Sequence, residues 1–142
     1  MTDGASTTFE DDVIADMRAH DGAVTAGPLT GHPLLIMTSQ GAKTGQPRRA
    51  LLTWSRDGDD YVVAGTAGGA PKAPAWFHNV EANQEVSIEA GNQTFDAKAT
   101  TLVDGAERER LWNQHVAALP WFAAYTEQTG RVIPMIRLTP VR

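Results

Sequence analysis

Phe9, Val13, Ile14 and Met17 recur three and four residues apart behind Thr7-Thr8-Phe9-Glu10. Such spacing puts them on one helical face, and the leading threonines with Glu10 have the form of a capping box. The pattern predicts an amphipathic helix over 7–20 that stops at Asp21-Gly22, with residues 1–6 lacking fixed structure. From Leu34 the pattern changes to short β-rich runs: Leu34 to Thr38, then a polar turn from Ser39 to Pro47, then Arg49 to Arg56. Asp57-Gly58-Asp59-Asp60 is a tight-turn signal, and Tyr61 to Thr66 behind it completes a hairpin.

Gly68-Gly69-Ala70-Pro71-Lys72-Ala73-Pro74 excludes regular structure, while Pro74 suits the first turn of a helix through Trp76, Phe77 and Val80 to about Ala82. Gln84 to Glu89 and Gln93 to Leu102, joined by Gly91-Asn92, read as a second hairpin. Asp104 and Glu107 form a second candidate capping box, opening a helix through Leu111, Trp112 and Val116 that Pro120 breaks. Helical spacing resumes at Trp121 and ends at Thr129-Gly130. The last strand, Val132 to Leu138, contains Pro134, which places it on a sheet edge. Antiparallel hairpins with peripheral helices and no βαβ alternation predict one α+β domain over 1–142, built on a small barrel rather than a Rossmann sheet.

Composition narrows the chemistry. The chain has 142 residues and no cysteine, which removes disulfides, thiolate nucleophiles and iron–sulfur ligation, so redox chemistry requires a bound cofactor. No apolar run approaches the roughly 20 residues of a membrane span, and Met1 to Glu10 lacks the pattern of a secretory signal, giving the expectation of a cytoplasmic protein. A net charge of −5 argues against general nucleic-acid binding. The charges are unevenly placed, however. No Asp or Glu lies between Asp21 and Asp57 or between Asp60 and Glu81, yet these windows hold Lys43, Arg48, Arg49, Arg56 and Lys72. An anion-attracting patch on an acidic protein follows.

Two loops could form that patch. Gly41-Ala42-Lys43-Thr44-Gly45-Gln46-Pro47-Arg48-Arg49 offers turn glycines, a hydroxyl and three cations, a combination suited to a phosphate; its glycine spacing is not that of a Walker loop. Gly65 to Trp76 offers small residues, Lys72 and a helix N-terminus. His20, His32, His78 and His115 show no metal-ligand spacing, so no metal site is expected. Trp121, Phe122 and Tyr125 are either core or an aromatic wall over a flat ligand.

Gly41-Ala42-Lys43-Thr44-Gly45 with Pro47-Arg48-Arg49, then Gly68-Gly69-Ala70-Pro71-Lys72-x-Pro74-Ala75-Trp76-x-x-Asn79, then Thr129-Gly130-Arg131-x-Ile133-Pro134, resemble in this order the deazaflavin-dependent nitroreductase family of actinobacteria. The resemblance implies a split β-barrel, of the FMN-binding type, that binds the deazaflavin coenzyme F420, a hydride carrier with a phosphate and an oligoglutamate tail. It implies that Lys43, Thr44, Arg48, Arg49 and Lys72 hold the phosphate and tail, with Gly45, Pro47 and Gly69 also binding the coenzyme. Thr66, Gly68, Pro71, Trp76 and Asn79 would line the ring side. Trp121, Phe122 and Tyr125 would meet the substrate, with the proton donated by Tyr125 or by solvent. The expected activity is hydride transfer from the reduced coenzyme to an activated alkene, a quinone or a nitro compound. An FMN-dependent oxidase or reductase on the same barrel, and a non-catalytic coenzyme-binding protein able to dock on a membrane through its N-terminal helix, stand as alternatives. Such a protein would be a monomer or a homodimer.

Overall fold

The computed structural model describes residues 9–66 and 72–141. Seven strands form one sheet in which every pairing is antiparallel: β1 (Leu34–Gln40), β2 (Pro47–Thr53), β3 (Ser55–Asp57), β4 (Asp60–Ala64), β5 (Glu85–Ala90), β6 (Gln93–Leu102) and β7 (Met135–Pro140). Among the described residues four helices surround it: α1 (Phe9–Ala19), α2 (Ala75–Ala82), α3 (Gly105–Ala118) and α4 (Ala123–Thr129), the last preceded by a 3-10 turn at Pro120–Phe122. The expected α+β class and the two hairpins are present. The capping box at Thr7-Thr8 and the expectation for residues 1–6 lie outside the described residues.

The spatial strand order is β2-β1-β5-β6-β7-β4-β3, and this order determines the shape. β2 and β3 sit at opposite ends of the sheet, yet Trp54 alone separates them in sequence. One residue cannot span a flat seven-stranded sheet whose strands lie about 4.8 Å apart, so the sheet curls until its ends approach. The result is a split barrel. The sequence stretch Arg49 to Arg56, read as one strand, is therefore two strands divided at Trp54, whose N–H donates to the Pro33 carbonyl at 2.9 Å.

β1 has four consecutive buried residues, Leu34 to Met37, because both its faces are covered. Leu35 and Met37 point into the barrel with Val63, Ile88, Ile136, Leu138 and the α2 residues Phe77 and Val80. Leu34 and Ile36 face outward beneath Val13, Ile14 and Met17 of α1. The apolar face of α1 is thus spent on β1, while Phe9, expected to belong to it, is exposed. No helix among the described residues is long and apolar enough to cross a membrane.

Two expectations are corrected. β7 is not an edge strand: it lies between β6 and β4. Pro134 is compatible with this because it precedes the first ladder residue, and its carbonyl accepts the Gly65 N–H at 2.9 Å. Nor do Asp104 and Glu107 form a capping box. Asp104 makes no side-chain cap hydrogen bond, and the Glu107 carboxylate is engaged by Arg110 at 2.7 Å and Arg137 at 2.5 Å. Two guanidinium partners offer stronger bonds than one backbone N–H. They hold the Glu107 carboxyl down at about 2, in a network that includes Asp57 and ties α3 to β3 and β7.

Candidate coenzyme site

The turn between β1 and β2 is built by its own sequence. Gly41 N–H donates to the Gln46 carbonyl at 2.8 Å, Gly45 N–H to the Gly41 carbonyl at 2.9 Å, and Gln46 N–H to the Thr44 hydroxyl at 3.2 Å. Gly45 adopts φ +72, a left-handed conformation open to glycine. Asn79, buried on α2, accepts the Ala42 N–H at 3.0 Å. This bond clamps the basic turn to α2 and identifies Asn79 as the brace between two segments far apart in sequence.

Between them lies a cavity of about 670 Å³ lined by Lys43, Thr44, Arg48, Arg49, Trp76 and Asn79, with Gly41, Ala42, Ala50, Ala75 and His78. Six of the sequence-predicted coenzyme residues therefore meet in one place. Its volume falls within the usual 300–1,000 Å³ of small-molecule sites, and the start of α2 at Ala75 brings the positive end of a helix to it. The cations differ in commitment. Arg49 is held by α1, with Nη2 2.5 Å from Asp11 Oδ1 and Nε 3.6 Å from Glu10 Oε1. Lys43 and Arg48, both exposed, have no carboxylate partner among the described residues, whereas Arg18, Arg110 and Arg137 are all paired. Uncommitted cations beside the Thr44 hydroxyl form a donor set that fits a phosphate.

The remaining predicted residues lie elsewhere. Gly45 and Pro47 line a neighbouring groove with Gln40, Asn83 and Glu85. Lys72 lines none of these cavities. Gly68, Gly69 and Pro71 lie outside the described residues. Thr66, Trp121, Phe122 and Tyr125 share a second cavity of about 280 Å³ with Leu29, His32, Leu51, Leu52, Thr53 and Ala64. Both readings of the aromatic segment apply, to different residues. Phe122 is buried core, while Trp121 is 41% exposed and stacks on His32 at 4.6 Å between ring centroids. Tyr125 is half-buried, edge-on to Phe122. His32 escaped sequence reasoning because the stack that places it is a contact across 89 positions of chain, with no local signal.

β2 connects the two cavities. Its first residues, Arg48 to Ala50, line the larger one, and Leu51 to Thr53 line the smaller. At about 3.3 Å per residue, Arg48 and Leu52 lie roughly 13 Å apart along the strand. An elongated ligand with an anion at one end and a flat ring at the other matches this arrangement.

The model of a family described as F420H(2)-dependent quinone reductase matches residues 12–140. The chain belongs to this family. It is 38% identical over 111 residues to the F420H(2)-dependent quinone reductase Rv1261c of Mycobacterium tuberculosis, spanning 75% of this chain and 73% of that protein. Among solved structures, an F420-H2 dependent reductase, FDR-A, superimposes with a TM-score of 0.68 at 36% identity, covering 75% of this chain and 93% of the other. A second, described as a domain-swapped dimer, gives 0.69 at 32% identity and covers 91% and 93%. The F420H(2)-dependent quinone reductase family thus accounts for the split barrel, and the sequence resemblance had pointed to the same coenzyme class.

Proposed function

We propose that this chain is an F420H(2)-dependent reductase that passes hydride from the reduced coenzyme to a quinone-type acceptor. The observation that carries the reading is the cavity between the 41–49 turn and α2, in which Lys43 and Arg48 remain uncommitted to any carboxylate among the described residues. These two residues, with Thr44, hold the phosphate and acidic tail. Arg49 joins them only by giving up Asp11. The β2 segment Leu51–Thr53 and Thr66 lie along the ring, and Trp121, Phe122 and Tyr125 wall the acceptor. The coenzyme supplies the hydride; the chain aligns the partners and keeps water from between them.

A quinone that receives a hydride becomes a hydroquinone anion and needs one proton. Two side chains with readily transferable protons line the smaller cavity among the described residues, the Tyr125 phenol and the His32 imidazole. We assign the donation to Tyr125. Tyr125→Phe should lower kcat with menadione about a hundred-fold, at the low end of general-acid effects, and leave the coenzyme dissociation constant unchanged. An unaltered kcat would transfer the role to His32 or solvent.

The activity itself is tested by anaerobic oxidation of the reduced coenzyme with menadione, cyclohexenone and a nitroaromatic in parallel. Turnover with the quinone is expected, and failure with all three would remove the enzyme reading in favour of coenzyme storage. Purification of a yellow, FMN-loaded protein would favour the flavin reading. The relative described as a domain-swapped dimer supports a homodimer, which light scattering reads directly.

A further inference from the structure

The segment Thr129-Gly130-Arg131 has no part in the site as described above, yet its geometry reaches both halves of it. Gly130 ends α4 in the left-handed conformation at φ +68, its N–H donating to the Thr126 carbonyl at 3.1 Å. That turn delivers the Arg131 side chain to three backbone carbonyls. Nη2 lies 2.9 Å from Gly65 O, 3.0 Å from Thr66 O and 3.2 Å from Lys72 O. Three carbonyl oxygens gathered around one nitrogen repel one another unless a cation stands between them, and burial of this guanidinium lowers its pKa, as expected of a desolvated cation.

The three acceptors lie on the two sides of residues 67–71. Thr66 lines the acceptor cavity. Lys72 stands three residues before Ala75, where α2 begins at the wall of the phosphate cavity. Arg131 itself follows directly on the helix that carries Tyr125. Fixing the spacing of two walls of a site in advance reduces what a ligand must supply on binding.

We propose that Arg131 is a positioning residue for the coenzyme, holding Thr66 and Lys72 at a set spacing and linking both to α4. The inference rests on the site reading given under Proposed function. It adds that a residue which lines neither cavity governs coenzyme affinity.

The test is a fluorescence titration of coenzyme F420 into wild type, Arg131→Ala, Arg131→Gln and Lys43→Ala, with thermal melts of each. Both Arg131 variants should bind at least ten-fold more weakly than wild type. Methylguanidinium in the buffer should recover at least three-fold of the loss in Arg131→Ala and none in Lys43→Ala, a rescue that general destabilisation does not give. If Arg131→Ala does not fold, Arg131→Gln decides by its dissociation constant. Binding within two-fold of wild type in a folded Arg131 variant, with Lys43→Ala weakened, overturns this inference alone; so does weakened binding that methylguanidinium leaves unchanged in a folded Arg131→Ala. If Lys43→Ala binds like wild type, or wild type does not bind, the site reading fails and the inference with it.

Discussion

Lys43→Ala and Arg48→Ala are each expected to weaken coenzyme binding about ten-fold, and Arg49→Ala distinctly less. A hydrogen bond assisted by charge contributes roughly 1.5 kcal/mol or more, and one factor of ten is about 1.4 kcal/mol. Lys43 and Arg48 enter the complex from solvent, without a protein carboxylate to release. Arg49 must first leave Asp11 and Glu10, so its net gain is smaller. A titration of the three variants gives this ranking directly, with Arg56→Ala as the cationic control, because Arg56 lies over the Tyr61 ring at 4.4 Å and lines neither the cavity at Lys43 nor the cavity at Tyr125. The differences should shrink at 1 M salt, where the screening length falls to about 3 Å. Equal losses in all four variants would mean that overall charge, rather than a built site, attracts the coenzyme.

The second large effect concerns stability. His115 is fully buried, its Nδ1 2.6 Å from the Ser55 hydroxyl and its Nε2 without a hydrogen-bond partner among the described residues. Burial pushes its pKa down to about 4 from the ordinary 6.5. The unfolded chain therefore takes up this proton at a higher pH than the folded one. The stability associated with neutral His115 is complete above about 6.5 and is lost progressively as pH falls toward 4. Over that window the loss is on the order of 3 kcal/mol, a large share of a typical domain's stability. Denaturant unfolding at pH 7.5 and 5.0 should show wild type markedly weaker at the lower pH. His115→Gln, which cannot take up that proton, should show a much flatter dependence. An equal pH slope in the two proteins would place the acid sensitivity elsewhere. His115 also packs edge-on against Phe122, with ring centroids 4.5 Å apart.

The elements of this fold were readable wherever their signals were local. The hairpins at Gly58 and Gly91 lie within a few residues of turn chemistry, and the helices at Pro74 and before Pro120 are bounded by residues that restrict the backbone. What could not be read depends on which faces are covered and on which strands become neighbours. β1 shows no alternation because the barrel core and α1 bury both sides, and Trp54 marks a change of sheet edge with no sequence cue. Pro134 was read as an edge signal, although one residue of offset from the ladder removes the conflict.

The site divides along the same line. Lys43, Thr44, Arg48 and Arg49 are visible because they cluster within seven residues of a glycine-bearing turn between two apolar runs, and Trp76 and Asn79 through their place behind the second glycine-rich motif. His32 and the three-carbonyl role of Arg131 depend on side chains meeting across the fold. Gly45 and Pro47, assigned to the ligand with their neighbours, line the neighbouring groove with Gln40, Asn83 and Glu85.

The most direct measurement is a crystal structure of the protein with coenzyme F420 bound. The phosphate is predicted within hydrogen-bond distance of Lys43 and Arg48 in the cavity between the 41–49 turn and α2, with the ring reaching the Leu51–Thr53 end of β2 near Tyr125. A phosphate seated in the groove beside Gln40, Asn83 and Glu85, or a ring remote from Thr66 and Tyr125, would contradict the account.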